Sequence, residues 1–398
     1  MRLGIYADLV YRRDGDVVST DRAFIRFVAG LSERTDELVF FGRLAPQAER
    51  APYALPAGNV RFVAFPYYPN VADLRGLARS LAGAVRVFSR ELDRLDAVWL
   101  FGPHPISLVL ALVALARRKR VFLGVRQDSP EYVRSRLRGR RWAWALPAAR
   151  AFEWIWRRMS RVAPAVVVGD ALGRAYTRSG GRALPTLFTL VRADDVVDEV
   201  EALARPWTGA LVTVGRIDRE KNPLLLPDIL ARLRATDDRW RLTVVGTGPM
   251  ERALVERARE LGVDDALELA GYVPAGDGLW SLYRAANAFL HVSFTEGVPQ
   301  VLVEAQAAGT PVVATDVGGV REGLEGGRGA LLVPADEAAS AVAALERVRD
   351  DDALRERLVQ EGLDHARRET MDAALDRIAA YFADQGDQPS PRARDVRA

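Results

Sequence analysis

The stretch Ser293-Phe294-Thr295-Glu296-Gly297-Val298-Pro299-Gln300-Val301-Leu302-Val303-Glu304-Ala305-Gln306-Ala307-Ala308-Gly309-Thr310-Pro311 decides the fold. Just before it, Phe289-Leu290-His291-Val292 reads as a short buried strand bounded by Ala288 and Ser293. After the Gly-x-Pro turn, Val301, Leu302 and Ala305 fall at helical spacing. The segment is therefore strand, tight turn, helix. Such a turn leaves unpaired backbone N–H groups at the helix N-terminus, and these attract anions. Glu296 sits in the turn and Glu304 about two helical turns further on. An anion-attracting helix start with carboxylates on either side suits a ligand carrying both phosphates and hydroxyls, such as a sugar nucleotide.

Working outward, the C-terminal half alternates cleanly. Strands are predicted at Leu211–Val214, Leu242–Val245, Leu267–Val273, Phe289–Val292, Val312–Ala314 and Ala330–Val333. Helices fall at Pro223–Ala235, Met250–Leu261, Leu279–Ala286 and Val301–Ala308. Alternating βα units with short apolar strands imply a parallel sheet covered on both faces, with ligands beyond the strands' carboxyl ends. The N-terminal half is a noisier version, with strands at Leu3–Tyr6, Leu38–Phe41, Val60–Phe65, Ala97–Phe101, Val121–Val125 and Ala165–Val168. Pro206 and Gly209 mark a linker. The expected division is an N-terminal Rossmann-like domain over 1–203 and a C-terminal one over 204–383, with a disordered tail over 384–398.

The quoted segment resembles the E-x7-E signature of retaining GT-B glycosyltransferases of family 4, the glycosyl transferases group 1; Glu296 and Glu304 fall on its two glutamates. Upstream, Val214-Gly215-Arg216-Ile217-Asp218-Arg219-Glu220-Lys221-Asn222-Pro223 resembles the family's Gly-Arg…Lys element. Between them, Val245-Gly246-Thr247-Gly248-Pro249 resembles its Gly-x-Gly-Pro turn. The likeness runs from about Leu211 to Val333, and three ordered motifs are far more specific than any one. It implies an α/β protein of GT-B fold, two Rossmann-like domains facing a central cleft, with the donor on the C-terminal domain and the acceptor on the N-terminal one. It implies that Arg216 and Lys221 bind the donor diphosphate and that Glu304 accepts from the ribose hydroxyls. Glu296, with Gly297, Val298 and Pro299, would meet the donor sugar. The last helix, about Ala366–Phe382, would cross back to the first domain as in family members.

Read from the residues alone, a solvated Arg-x-x-Arg-Glu-Lys loop, an exposed helix glutamate at 304 and a helix cap at 296 stand as plainer alternatives. Gly215, Gly246 and Gly248 would admit the nucleotide closely, though a plain turn explains Gly248 about as well. Composition adds one point. Of 56 Lys and Arg only two are lysines, Lys119 and Lys221, and the second is the motif residue. A compact ammonium on a thin stem fits where a planar guanidinium does not.

Length 398 suggests two to three domains. With no cysteine, disulfides, thiolate zinc and thiol catalysis are excluded, and three histidines make a histidine-rich metal site a poor fit. No metal and no cofactor are expected, the sugar nucleotide being a substrate. The longest apolar run, Ile106 to Ala116, is too short to cross a bilayer. Met1-Arg2-Leu3-Gly4-Ile5-Tyr6 runs straight into a strand pattern, so a cytoplasmic location is expected. Net charge is +3 but unevenly spread: residues 1–200 hold 32 Arg/Lys against 20 Asp/Glu, and residues 201–398 hold 24 against 33. The two halves are thus expected to meet different partners.

The N-terminal site is less legible. Family members carry a glycine-rich loop after the first strand; here Leu9–Asp16 offers only Gly15. Asp14-x-Asp16 has the spacing of a metal motif from the other glycosyltransferase fold, and a turn is the favoured reading. Arg126 stands where many members place a histidine near the transferred sugar. It cannot serve as a neutral-pH base but could bind a phosphate oxygen or an anionic acceptor. Asp128 and His104 are further acceptor-side candidates, His104 with a structural turn role as the alternative. Arg134–Arg161 carries nine arginines and one glutamate, with Trp142, Trp144, Trp154 and Trp156 interleaved. It suits either an anionic membrane surface, which would place the protein on the inner face of the membrane, or a packed helix with a solvated basic face. No recognition motif for nucleic acid accompanies it.

The chain therefore reads as a metal-independent retaining hexosyltransferase. It would move a sugar from a nucleotide-diphosphate donor, UDP-linked for instance, to a hydroxyl acceptor, with anionic or lipid-linked acceptors among the options. The alternatives are a GT-B sugar-nucleotide epimerase and a non-catalytic GT-B partner subunit.

Overall fold

The structure is a computed structural model in which residues 1–69, 73–136 and 144–387 are described. The chain forms two compact units, Met1–Phe188 with Ala374 onward, and Thr189–Ala373.

In the first unit, β1 (Arg2–Asp14), β3 (Glu37–Leu44), β5 (Val60–Phe65), β6 (Ala97–Gly102), β7 (Arg120–Val125), β8 (Ala165–Val168) and β9 (Ala183–Thr186) make a parallel sheet in the order β5-β3-β1-β6-β7-β8-β9. β2 (Val17–Thr20) and β4 (Tyr53–Ala54) extend it by antiparallel pairing on the far end of β1. This end corrects the sequence expectation of a ligand-facing loop after a short first strand. β1 continues to Asp14, with its register against β3 shifting between Tyr6 and Val10, and folds back at Gly15-Asp16 into β2. Gly15 takes φ +56°, as a two-residue hairpin requires, and nothing approaches the position of a Cβ there. The pattern Leu9-x-Tyr11, each buried, is a period-two signal that continues the strand.

The last helix, Met371–Asp387, belongs to this first unit from Ala374 on and runs past the expected break at Asp384. Phe382, fully buried, stacks on Phe122 with ring centroids 4.0 Å apart and meets Trp99 edge-on at 5.4 Å. The basic Trp-rich segment is divided. Trp156 is buried, packed so closely on Gly102 that a Cβ there would lie 2.6 Å from its ring, whereas Trp144 and Trp154 are exposed. Arg138, Arg140, Arg141 and Trp142 lie outside the described residues.

In the second unit, β10 (Ala210–Val214), β11 (Arg241–Val245), β12 (Leu267–Gly271), β13 (Ala288–His291), β14 (Val312–Thr315) and β15 (Ala330–Val333) form a parallel sheet ordered β12-β11-β10-β13-β14-β15. Counted from its first strand this is 3-2-1-4-5-6, the doubly wound order whose direction reverses between β10 and β13. Helix Leu225–Arg234 shows how this sheet is covered: Leu226, Ile229, Leu230 and Leu233 share one face and are buried against β10 and β11 residues such as Leu211 and Leu242. Each such side chain contributes roughly 1.5–3 kcal/mol. Val197 and Ala202 pack against Val359 and Leu363, so residues ahead of the Pro206–Gly209 turn already belong to this unit rather than to an N-terminal domain ending at 203.

Candidate functional site

The switch point between β10 and β13 in the second unit is where the sequence motifs converge. The loop after β10 and the turn after β11 are zipped together: Gly215 N–H donates to Val245 O (2.9 Å), Ile217 N–H to Thr247 O (3.0 Å) and Met250 N–H to Ile217 O (3.0 Å). This contact explains two motif glycines. A Cβ on Gly246 would lie 1.9 Å from Gly215 O, and one on Gly248 2.3 Å from Ile217 O. The glycines expected to admit a nucleotide thus admit the neighbouring loop. Gly215 and Gly297, by contrast, have nothing within 4 Å of their Cβ positions, so their backbones border open space.

Arg216 is half exposed, and its guanidinium pairs with Asp218 and Glu220 on its own loop. Lys221 closes a short 3-10 turn, Arg219–Lys221, and Asn222 then adopts the left-handed conformation at φ 49°. This turn points Lys221 Nζ at Glu296 Oε1, 2.5 Å away. Phe294 N–H donates to Glu220 O (2.9 Å) and fastens the two loops to each other. Gly215, Arg216, Lys221, His291 and Ser293 line one pocket at the strand ends.

Glu296 is the hub. Its side chain is 8% exposed, and Oε1 also accepts from Ser293 Oγ (2.7 Å) and His291 Nε2 (2.9 Å). Burial alone would raise this carboxyl. Hydrogen bonding from His291 and the charge of Lys221 outweigh burial and bring it down to about 2. The plainer alternative, a helix cap, does not apply: the Gln300–Ala307 helix has no side-chain cap and no acidic residue in its first turn. Its first N–H groups therefore carry no side-chain cap. The loop after β14 buttresses Glu296 from behind. Gly319 N–H donates to Glu296 O (3.3 Å), and Cβ atoms on Gly318 and Gly319 would lie 2.0 Å from the carbonyls of Glu296 and Gly297.

Glu304 is buried one layer deeper, where Tyr283 O–H donates to its Oε2 at 2.8 Å. Burial raises its carboxyl despite this bond. The exposed-helix alternative for Glu304 is therefore wrong. Sequence reasoning missed His291, Ser293, Tyr283, Gly318 and Gly319. His291 was readable as the polar end of an apolar strand abutting Ser293; Tyr283 left no local signal, because its partner lies 21 positions away.

Among the described residues the N-terminal candidates make no hydrogen bond or ion pair with one another. Arg126 lies at the end of β7 with its guanidinium 3.9 Å from the centroid of the Phe24 ring. Asp128 accepts from Glu131 N–H (2.9 Å) at the start of helix Ser129–Arg136 and pairs with Arg157 (3.1 Å). Gly15 is the hairpin tip described above. His104 follows the cis Gly102-Pro103 bond and starts helix Pro105–Ala116, its Nδ1 accepting from Ile106 N–H at 3.3 Å. Its Nε2 stands 3.3 Å from Tyr68 Oη and 3.4 Å from Asp8 Oδ2. Burial lowers its pKa against the pull of Asp8. Asp8 also accepts from Tyr68 O–H (2.6 Å) and Tyr6 O–H (3.2 Å) and pairs with Arg43 (3.0 Å). This network, at the β1–β6 switch point of the first sheet, was not foreseen.

Comparisons with known proteins bear on the family and the fold. The family model for glycosyl transferases group 1 matches residues 208–365. The chain is 38% identical over 175 residues to D-inositol 3-phosphate glycosyltransferase of Pseudarthrobacter chlorophenolicus, covering 43% of this chain and 40% of the relative. It is 34% identical over 200 residues to the same-named protein of Thermomonospora curvata, covering 47% and 45%. The chain thus spans less than half the length of these relatives. Among solved structures, sucrose-phosphate synthase from Thermosynechococcus elongatus superposes with a TM-score of 0.71 at 18% identity, covering 97% of this chain and 99% of that one. Anabaena HepE in complex with UDP-glucose does so with a TM-score of 0.68 at 16% identity, covering 96% and 100%. The fold is GT-B.

Proposed function

We propose that this protein is a glycosyltransferase that moves a hexosyl group from a nucleoside-diphosphate sugar to a hydroxyl acceptor with retention at the anomeric carbon. The observation that carries the proposal is the convergence of Arg216 and Lys221 on one pocket at the β10–β13 switch point, with Glu296 paired to Lys221 beside an uncapped helix start. A crevice of this kind takes phosphates. The family match over 208–365 and the UDP-glucose bound to the structurally similar HepE support it.

The chemistry follows from the charges. Arg216 leaves Asp218 and Glu220 for the diphosphate, where charge develops as the anomeric C–O bond breaks. Lys221 shares its charge between diphosphate and Glu296. No metal is required in this scheme, because the two cations and the helix start offset the leaving group's charge. Glu296, held ionised, cannot donate a proton; it accepts hydrogen bonds from donor-sugar hydroxyls. Glu304 accepts from the ribose. The acceptor oxygen bonds to the anomeric carbon on the face the diphosphate leaves, and its proton passes to the departing phosphate oxygen, so no side-chain base is needed. The first unit supplies the acceptor side, and its exposed Trp144 and Trp154 with the neighbouring arginines would meet an anionic inner membrane face. Among the described residues no helix is long and apolar enough to cross a membrane.

Thermal-shift screening of UDP-, GDP- and dTDP-sugars identifies the donor, and anomer-resolved NMR of the product tests the reaction. The expected result is nucleotide release with an acceptor-linked sugar of unchanged anomeric configuration. An inverted product or a free epimerised sugar would overturn it.

A further inference from the structure

In the first unit the crossovers from β5 to β6, β6 to β7 and β7 to β8 all step the same way across the sheet. Right-handed connections put their helices on one face of it. The core confirms this. Ala84 and Phe88 of helix Leu74–Glu91, Leu110 and Ala114 of helix Pro105–Ala116, and Trp156 of helix Ala145–Met159 are buried in one cluster with Leu100 and Leu123 of the sheet. The opposite faces of these helices therefore look outward together. On helix Leu74–Glu91 that face is a stripe of arginine. Arg75, Arg79, Arg86 and Arg90 recur at the spacing of one helix face, with Ala82 among them, and all five are exposed. None of the four arginines makes an ion pair among the described residues; Arg79 Nε donates only to Arg75 O, at 3.4 Å. The helix's one acidic residue, Glu91, pairs with Arg61 of β5 (2.7 Å).

Like charges four residues apart weaken a helix. The helices of the second unit avoid this: Arg252 pairs with Glu256, Arg257 with Glu260 and Arg367 with Asp364. Next to the arginine stripe, helix Pro105–Ala116 holds no charged residue at all. Its outward positions Leu108, Val109 and Leu112 are apolar, and Leu112 is 54% exposed. In the same layer Trp154 is exposed, with the Arg158 guanidinium 5.1 Å from its ring. A water-facing surface carries charges of both signs; this one joins a single sign to an apolar strip. That pairing matches an anionic bilayer, with guanidinium groups at the headgroup phosphates and leucines at the acyl boundary. Nucleic acid would engage the arginines but leave Leu112 without a role. We propose that the outer faces of helices Leu74–Glu91 and Pro105–Ala116 dock this protein on an anionic lipid surface. The docking face extends the contact proposed for Trp144 and Trp154 to two further helices, and it depends on neither the donor nor the transfer chemistry.

Flotation of the whole protein tests this, with vesicles of phosphatidylcholine alone and of phosphatidylcholine with phosphatidylglycerol. Binding should require phosphatidylglycerol and fall as salt rises. Arg79→Gln combined with Arg86→Gln should cost about tenfold or more in vesicle affinity. Both positions are exposed, so the double variant should melt no lower than wild type and bind UDP equally well. The chain has no cysteine, so Leu112→Cys takes a single polarity-sensitive fluorophore. Its emission should shift to the blue with phosphatidylglycerol vesicles. The same label on Val200→Cys, 76% exposed in the second unit, should not shift. No binding to phosphatidylglycerol vesicles would overturn the proposal, and UDP binding in the same sample would leave the donor site standing. Retention on heparin without vesicle binding would also overturn it and assign the stripe to a soluble polyanion. Vesicle binding that is lost with Trp154→Ala but kept by the double arginine variant, with no shift at Leu112, would overturn it and leave the contact to Trp144 and Trp154. Vesicle binding as described, in a protein that binds no nucleotide, would uphold the docking face and sink the glycosyltransferase reading.

Discussion

Removing Lys221 probes both the stability and the chemistry of the central pocket. Glu296 has its carboxyl brought down to about 2, against an ordinary value near 4.3. Each pKa unit is worth 1.36 kcal/mol, so the ionised carboxylate contributes roughly 3 kcal/mol of stability at neutral pH. The group's pKa is depressed in the fold. Its contribution is therefore complete above the unfolded value and is lost as pH falls toward 2. His291 and Lys221 share that contribution, and Lys221 is 22% exposed, so the full penalty for breaking a buried pair does not apply. Lys221→Met should cost about 1–2 kcal/mol at pH 7. Urea unfolding of the wild type, Lys221→Met, Glu296→Gln and the double variant at pH 7 and pH 2.5 measures the effect. The gap between wild type and Lys221→Met should fall by about half or more at the lower pH. At pH 7 the double-mutant cycle should give a coupling of about 1 kcal/mol or more. A gap of equal size at both pH values, or no coupling, would refute the charge pairing.

Three further outcomes are expected. Glu304→Gln should weaken ribonucleotide donors more than their 2′-deoxy analogues; since burial raises the Glu304 carboxyl, its ionised form costs stability above pH ~4.3, and the variant should melt at an equal or higher temperature at pH 7. Gly248→Ala should abolish donor binding by pushing the β10 and β11 loops apart, measurable as lost thermal shift with nucleotide, while Gly297→Ala, which meets open space, should fold normally and differ from wild type only with donor present. In flotation with anionic vesicles at low salt, binding should fall sharply as salt rises and with Trp154→Ala, whereas Trp156→Ala should lose roughly 3–5 kcal/mol of stability because that ring is core. No flotation at low salt would reject the membrane contact.

Much of the second unit was legible because its information is local. Short apolar strands and four helices set the βα alternation, and the strand–turn–helix around Glu296 needed only periodicity. Less legible was what depends on tertiary contact. Gly246 and Gly248 look the same in sequence whether the backbone they admit is a ligand or the Gly215–Ile217 loop. Glu304 shows helical spacing but no sign of its burial against Tyr283. In the first unit, the loop expected at Leu9–Asp16 failed because its alternation was subordinated to a glycine motif; Leu9 and Tyr11 already carried the strand signal. Asp8, Arg43, Tyr68 and His104 come from four separate stretches of the chain, so no window of sequence could have joined them.

The most direct test of the account is a titration of UDP, GDP and dTDP into the wild type, Arg216→Ala and Lys221→Ala. A charge-assisted hydrogen bond is worth roughly 1.5–3 kcal/mol, so at least one diphosphate should bind the wild type and each variant should lose about tenfold or more. Absence of any nucleoside-diphosphate binding, or equal affinity in wild type and both variants, would contradict the assignment of the β10–β13 switch point as the donor site.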